Sequence, residues 1–258
     1  MAGPILVFDS GVGGLSVVES LRRCLPDAAL AYACDNAMLP YGQRADAWLI
    51  QRIRAVCEAA VAASGCSVLV VACNTASTLA LDVLRGCLTI PVVGTVPAIK
   101  PAAKVSRTRH IGLLATRATV SRPYTLQLIE DFAADCRVTR VAADALVTEA
   151  ERLVAGELPD RAILHRALSP LWEDPWLDTV VLGCTHFPLL RPWLNDVAPR
   201  RVTWIDSGDA IARRVAQVVP AHVSQQGEAP SFVTAFDERL GSGLATFGFA
   251  SPRLLQRV

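Results

Sequence analysis

The chain has 258 residues, of which 52% are hydrophobic and 19% are charged, and its formal net charge is +1. This composition is typical of a folded globular protein and provides no charged surface for nucleic acid or an anionic membrane. No apolar stretch approaches the roughly 18 residues of a membrane span, and residues 1–4 lack the basic region of a signal peptide. We therefore expect a cytoplasmic protein without nucleic-acid or membrane partners.

The chain opens with a strand, a glycine-rich turn and a helix. Apolar residues 4–8 precede the turn at residues 9–14, and an amphipathic helical pattern follows. This order is typical of a doubly wound α/β domain, and the backbone N–H groups of such a turn bind carboxylates or phosphates. Gly11 and Gly13 also fit part of a dinucleotide-binding fingerprint, but Ser16 replaces its third glycine. A dinucleotide site is therefore the less favoured interpretation.

A second strand, at residues 29–34, runs into a turn that contains Pro40, Tyr41 and Gly42. Proline and glycine on either side of an aromatic residue predict a rigid turn. Such a turn is either an ordinary surface feature, which is the more common case, or a support that holds a ring over a pocket.

Two short apolar runs each end in a cysteine. Residues 68–72 lead into Cys73, and residues 179–183 lead into Cys184. The nearly unbroken aliphatic and β-branched residues predict parallel strands that are buried on both faces. Each cysteine then lies at the carboxyl end of a strand, where open α/β sheets bind ligands, and ahead of a helix N-terminus that favours the thiolate. The repeated pattern predicts a matched pair of proton-transfer groups.

The spacing of these landmarks indicates two related units. Residues 96–109, which are rich in proline and basic residues, are the best candidate for a linker. The strand after them ends at Thr116, which precedes Cys184 by 68 residues, and Asp9 precedes Cys73 by 64 residues. A similar span before each cysteine is expected if the two halves have the same order of elements.

We predict an α/β fold of two similar α/β/α domains with largely parallel sheets, pseudo-symmetric about a central cleft. The first domain comprises residues 1–97 and 207–258, and the chain returns to it through a strand at residues 232–236. The second domain comprises residues 98–206. The other predicted elements are helices at residues 46–63, 78–86, 124–134, 149–155 and 162–171, and strands at residues 91–94, 138–142 and 202–205.

A pair of thiols suits the removal and return of a proton at carbon. Inverting a stereocentre needs a base on each face, within a site that fixes the substrate and stabilises the developing charge. A pyridoxal mechanism requires a Schiff-base lysine, but Lys100 and Lys104, the only lysines, lie in the predicted linker. No Cys-x-x-Cys occurs and the four histidines are scattered, so a metal site is not predicted either. We therefore expect a reaction without cofactor or metal.

Four motifs closely resemble the signatures of the bacterial glutamate racemase family. They occur in order through nearly the whole chain: Phe8-Asp9-Ser10-Gly11-Val12-Gly13-Gly14, Pro40-Tyr41-Gly42, Ala72-Cys73-Asn74-Thr75-Ala76 and Gly183-Cys184-Thr185-His186. The resemblance implies a cofactor-independent enzyme of two α/β domains that interconverts L- and D-glutamate for peptidoglycan. It implies that Cys73 and Cys184 are the acid/base residues, with Asp9 and His186 as their respective polar partners. The residues that it implies in substrate binding are Asp9, Ser10, Pro40, Tyr41, Gly42, Asn74, Thr75, Thr116, Thr185 and His186.

The chain departs from the family pattern in one segment. Where the family has an Ala-Cys-Pro segment that leads to an acidic residue assisting the second cysteine, residues 141–144 lack the cysteine and the proline. Glu149 and Glu151 are both candidates for this acid, and the spacing favours Glu151.

Two other functions are compatible with the sequence. A related racemase of aspartate or of a broader set of amino acids would have the same two cysteines, and an assay with both amino acids distinguishes it. A non-catalytic binding protein is less favoured, because binding alone needs no thiol at both strand ends. The sequence does not determine the oligomeric state, and a homodimer is compatible with it.

Overall fold

Two parallel sheets organise the chain, which a computed structural model describes for residues 3–219 and 224–256. The strands are β1 (Ile5–Asp9), β2 (Leu30–Cys34), β3 (Val68–Val71), β4 (Val92–Gly94), β5 (His110–Ala115), β6 (Arg137–Ala142), β7 (Thr179–Leu182), β8 (Thr203–Ile205), β9 (Ser231–Val233) and β10 (Arg253–Leu254). The first sheet has the order β10-β9-β2-β1-β3-β4, and the second has the order β6-β5-β7-β8. All neighbouring strands in both sheets are parallel.

Helices cover both faces of each sheet. They are α1 (Leu15–Cys24), α2 (Asp46–Ser64), α3 (Asn74–Cys87), α4 (Ile99–Val105), α5 (Arg117–Ser121), α6 (Pro123–Ala133), α7 (Ala145–Val154), α8 (Arg161–Leu168), α9 (Arg191–Val197), α10 (Gly208–Val218) and α11 (Glu238–Thr246). Short 3-10 helices cover Asn36–Met38, Tyr41–Gln43, Ser169–Glu173 and Phe187–Leu190. Within the described part of the chain, no helix combines the length and apolar character needed to cross a membrane.

The alternating faces of β1 show how the layers pack. Val7 packs with Leu15 of α1 on one side of the first sheet, whereas Phe8 packs with Leu49 and Ile53 of α2 on the other. The second sheet likewise has a hydrophobic cluster on each face. Burial of both faces explains why the strands are continuous apolar runs. The predicted fold class is confirmed.

The predicted linker at residues 96–109 is wrong, because α4 forms there. Ile99, Ala102 and Ala103 of this helix are buried in the core of the second sheet, where they pack near β5 and β7. Pro101 lies in the first turn of the helix, where its missing N–H has no intrahelical partner to lose. The prolines and lysines of this segment favoured the interpretation as a linker, although the segment forms a short helix with one apolar face.

Other boundaries differ from the sequence predictions at element ends. The helix predicted at residues 78–86 begins already at Asn74, and the strand predicted at residues 232–236 covers Ser231–Val233. The C-terminal segment also adds the short strand β10, which was not predicted. As expected, the chain returns to the first sheet, because α10 packs against α1 and β9 pairs with β2.

Candidate active site

The two sheets bring Cys73 and Cys184 to one cleft. Cys73 follows β3 and caps α3, and Cys184 lies two residues after β7, so both thiols are at the carboxyl ends of parallel strands. The cleft is narrow, with a cavity volume of about 30 Å³, and the two cysteines are 6% and 8% exposed. The predicted site residues that line it are Ser10, Pro40, Tyr41, Gly42, Cys73, Asn74, Thr75, Thr116, Cys184, Thr185 and His186.

Two predicted residues lie just outside this lining. Glu151 lines an adjoining cavity of about 460 Å³, which shares Pro40, Gly42 and Thr116 with the cleft. Asp9 is completely buried behind the lining residues. Both carboxylates are therefore placed to act through the residues that reach the cleft.

Cys73 is supported by Ser10 and, behind it, by Asp9. Ser10 Oγ lies 3.6 Å from Cys73 Sγ and donates to Asp9 Oδ1 at 3.2 Å. Thr185, from the second sheet, donates to Asp9 Oδ2 at 2.8 Å. Within the described structure no hydrogen bond joins Asp9 directly to Cys73, so the carboxylate acts on the thiol through Ser10 and through its charge.

Burial dominates the acidity of Cys73. Removal from water, together with the charge of Asp9, raises the pKa of the Cys73 thiol to about 12, although the Ala76 N–H and Ser10 favour the thiolate. The start of α3 favours the thiolate, as expected from the sequence, but desolvation outweighs this effect.

Cys184, His186 and Glu151 form a contiguous set of contacts. His186 Nδ1 lies 3.7 Å from Cys184 Sγ, and His186 Nε2 lies 2.6 Å from Glu151 Oε1. Burial by itself lowers the pKa of His186, but hydrogen bonds to Cys184 and Glu151 outweigh it and raise that pKa well above its ordinary value. A protonated His186 has one N–H for each of its two neighbours.

The geometry separates the two acidic candidates on α7. Glu149 is 1% exposed and binds groups away from the cleft, since it accepts hydrogen bonds from the Asp160 N–H at 2.7 Å and from Arg152 at 3.3 Å. Glu151 contacts His186 instead. The structure thus places Glu151, and not Glu149, beside His186, which contacts the second thiol.

The glycine turn after β1 binds the chain's own carboxylates. The Gly11 N–H donates to Asp9 Oδ1 at 3.1 Å, and the Val12 N–H donates to Glu151 Oε1 at 2.9 Å. The carboxylates bound by this turn are therefore those of Asp9 and Glu151 in the same chain. With these donors engaged, the turn offers poor support for the dinucleotide interpretation.

Asn74 presents a free acceptor to the cleft. The residue is 6% exposed, and its Oδ1 has no hydrogen-bond partner among the described residues. A buried acceptor without a partner costs roughly 1–3 kcal/mol, so a bound ligand with a donor, such as an ammonium group, would remove this cost.

The buried ion pair of Asp35 and Arg52 supports the turn at Tyr41. Arg52 donates to both oxygens of Asp35, at 2.8 and 2.7 Å, and Asp35 is completely buried. The Tyr41 hydroxyl donates to Asp35 Oδ2 at 2.8 Å, and Thr234 of the returning segment donates to Oδ1 at 2.7 Å. The turn is therefore part of the cleft wall, and the Tyr41 hydroxyl is engaged by Asp35.

Three lining residues were not predicted from the sequence: Leu39, Thr119 and Val147. Val147 lies four residues before Glu151 on α7, so the helical repeat could have identified it. Thr119 lies 3.0 Å from the Thr116 hydroxyl within the first turn of α5, where the capping pattern is a signal. Arg52 and Thr234, which hold Asp35 beside Tyr41, could not be predicted from the local sequence of the turn, because both lie outside it in the chain.

The charge of Asp9 gives a testable effect on Cys73. Asp9→Asn removes a negative charge that raises the pKa of the thiol, so alkylation of Cys73 should become faster at any given pH between about 7 and 10. Mass spectrometry of the Cys73 peptide after timed iodoacetamide treatment measures this rate. Asp82→Asn, on the exposed side of α3, is the control and should change nothing. Unchanged alkylation in Asp9→Asn would show that its charge does not act on the thiol.

No group of three or more metal-ligating side chains is placed to hold a metal ion within residues 3–219 and 224–256.

Comparison with known proteins places the chain in one family. The family model for Asp/Glu/Hydantoin racemase matches residues 13–215. The curated glutamate racemase of Shewanella woodyi is 46% identical in an alignment of 260 positions that covers 97% of this chain and 97% of that one. The glutamate racemase of Escherichia coli, solved with L-glutamate and the activator UDP-MurNAc-Ala, is 42% identical and superposes with a TM-score of 0.93 over 99% of this chain and 98% of that one. Glutamate racemase RacE1 of Bacillus anthracis has a TM-score of 0.82 at 27% identity, with 99% and 98% covered.

The fold is that of an α/β racemase, and the chain belongs to the Asp/Glu/hydantoin racemase family. The protein is therefore an isomerase of the amino-acid racemase type. Within the family it is similar to glutamate racemases over nearly its whole length.

Proposed function

We propose that the protein is a glutamate racemase that inverts the α-carbon with two cysteines and no cofactor. The observation that carries this proposal is that Cys73 and Cys184, which follow corresponding strands of two sheets, line the same cleft. Each thiol also has a hydroxyl or imidazole partner with a carboxylate behind it. The similarity to glutamate racemases supports glutamate as the substrate.

In the proposed reaction, one cysteine thiolate removes the Cα proton of glutamate. The C–H electron pair stays on Cα as a carbanion that is delocalised into the α-carboxylate, and the thiol on the opposite face donates its proton to Cα. The product is the other enantiomer, and the two thiols have exchanged protonation states. By resemblance to the family, Cys73 takes the proton from D-glutamate and Cys184 takes it from L-glutamate.

Neutral groups of the cleft would bind the substrate. The unpaired Oδ1 of Asn74 suits the α-ammonium group. Backbone N–H groups at the start of α3, directly after Cys73, suit a carboxylate, as do the hydroxyls of Thr75, Thr116 and Thr185. Gly42 of the turn lines both the cleft and the adjoining cavity.

A racemisation assay on the purified protein tests substrate choice. We expect glutamate to be turned over about 5- to 150-fold more efficiently than aspartate, because a shorter side chain leaves a buried donor unpaired at a cost of roughly 1–3 kcal/mol. Circular dichroism of each enantiomer over time measures both rates. Activity should persist after dialysis against a chelator. Equal kcat/KM for the two amino acids would instead assign a broader racemase.

The biological setting is part of the same proposal. D-Glutamate produced here would supply peptidoglycan synthesis, as the resemblance to bacterial glutamate racemases implies. All eight cysteines are free thiols, which supports work in a reducing compartment such as the cytoplasm. We also propose that residues 1–97 with 207–258 and residues 98–206 are two domains, since each range contributes the strands of one sheet. A homodimer remains a proposal that a sedimentation measurement tests.

A further inference from the structure

The turn between β1 and α1 touches two candidate catalytic residues of the second sheet. A Cβ atom at Gly11 would lie 2.1 Å from Glu151 Oε1, and one at Gly13 would lie 2.5 Å from His186 Nδ1. Neither glycine has a positive φ, so the backbone conformation does not demand glycine at these positions. What the two positions require is space for side chains that arrive from the other sheet.

A backbone hydrogen bond completes this contact. The Val12 N–H donates to Glu151 Oε1 at 2.9 Å, and the same oxygen lies 2.6 Å from His186 Nε2. His186 Nδ1 lies 3.7 Å from Cys184 Sγ. An unbroken series of contacts therefore leads from the backbone of the first-sheet turn to the thiol of the second sheet.

The Cys73 thiol is held by other residues than Val12, Glu151 and His186. Cys73 and Ser10 lie 3.6 Å apart and follow β3 and β1, which are neighbouring strands of the first sheet. Glu151 lies on α7, whose buried Leu146 and Ala150 pack in the core of the second sheet, whereas Val154 at its end packs in the core of the first. Movement of the Glu151 carboxylate away from Val12 would thus leave Cys73 beside Ser10, with Asp9 still bound to Ser10 and Thr185.

We propose, on the basis of the function proposed above, that Gly11 and Val12 are positioning residues for the Cys184 half of the reaction. The turn holds the Glu151 carboxylate in place, so that His186 supports the thiol of Cys184. The contact between this turn and Glu151 is thereby a condition for the proton transfer at Cys184, whereas Cys73 is supported by Ser10 and Asp9.

Gly11→Ala tests this assignment. The added Cβ would meet the end of the flexible Glu151 side chain rather than backbone, so the carboxylate should move while the fold persists. The readout is chloride release from each enantiomer of 3-chloroglutamate. A thiolate takes the Cα proton, the C–H electron pair forms the Cα–Cβ double bond, and chloride leaves with the C–Cl pair. One thiol suffices, and Cys184→Ser identifies the enantiomer that uses Cys184.

We expect Gly11→Ala to slow chloride release from the Cys184-dependent enantiomer by on the order of 10- to 100-fold, as loss of an orienting partner does at other sites. Release from the other enantiomer should stay nearly unchanged. Gly86→Ala is the matched control, because nothing lies within 4 Å of its added Cβ, and it should change neither rate. In a Glu151→Gln background Gly11→Ala should add little, since both substitutions remove the same contact.

Several outcomes would overturn the proposal. They are equal slowing of both enantiomers, slowing of neither, additive losses in the double variant, or a Gly11→Ala protein that does not fold. Each assigns the turn a general structural role or none. Failure of the proposed function is distinguishable, because the wild-type protein would then neither racemise glutamate nor release chloride from either enantiomer.

Discussion

Cys73→Ser and Cys184→Ser are each expected to lower the rate of glutamate racemisation by at least about 10³-fold. A serine hydroxyl is a far weaker acid than a thiol, so it does not supply the base for its face of the α-carbon. Both positions are nearly buried, and the exchange of sulfur for oxygen removes little volume, so the fold should persist. Racemisation in both directions measures the loss, and far-ultraviolet circular dichroism checks the fold.

The half-reaction with 3-chloroglutamate divides the work between the thiols. Each serine variant should still release chloride from one enantiomer and fail with the other, because elimination needs only the first proton removal. Cys24→Ser is the control, since Cys24 is an exposed thiol outside the cleft, and it should retain full activity. Release from both enantiomers at near wild-type rates by both variants would show that neither cysteine is an essential base.

Arg52→Met is expected to lower the free energy of unfolding by about 3–5 kcal/mol, because it leaves the carboxylate of Asp35 buried without its cationic partner. Asp35 is completely buried and the Arg52 side chain is 12% exposed, so water replaces little of the lost interaction. Tyr41 and Thr234 still donate to Asp35, but neither carries a positive charge. Urea denaturation followed by tryptophan fluorescence measures the change.

The same helix provides the control for this experiment. Arg54→Met removes an arginine that pairs with Glu58 at the surface, where the two side chains are 47% and 41% exposed. Exposed pairs of this kind contribute about 0.2–1 kcal/mol, so the midpoint should hardly move. Similar losses in both variants would mean that burial of the Asp35–Arg52 pair has no special weight.

The local pattern of the chain was sufficient for the fold class. Each cysteine follows a short, continuous apolar run, which is typical of a strand in a parallel sheet that is buried on both faces. The resemblance of motifs also predicted most of the lining residues of the cleft, because strand ends and helix starts are short-range features of the sequence. Proline and lysine misled the prediction at residues 96–109, where α4 buries Ile99 and Ala102. A short helix with one apolar face has too weak a periodicity to overcome such residues.

Pairings between distant residues were decided by the tertiary structure alone. Glu149 and Glu151 are two residues apart on α7, and only the packing of that helix directs one to Asp160 and the other to His186. The contact between Val12 and Glu151 joins residues that are 139 positions apart, for which the sequence has no local signal.

The acidity of Cys73 shows the same division. Its position before α3 was visible in the sequence, and a helix N-terminus does favour a thiolate. The degree of burial and the nearness of Asp9 were not visible, and together they raise the pKa of the thiol to about 12. The sequence by itself determined which groups stand at the strand ends. Only the tertiary structure decided how much water and charge surround them, because desolvation and Coulomb interactions depend on atoms that the fold brings together.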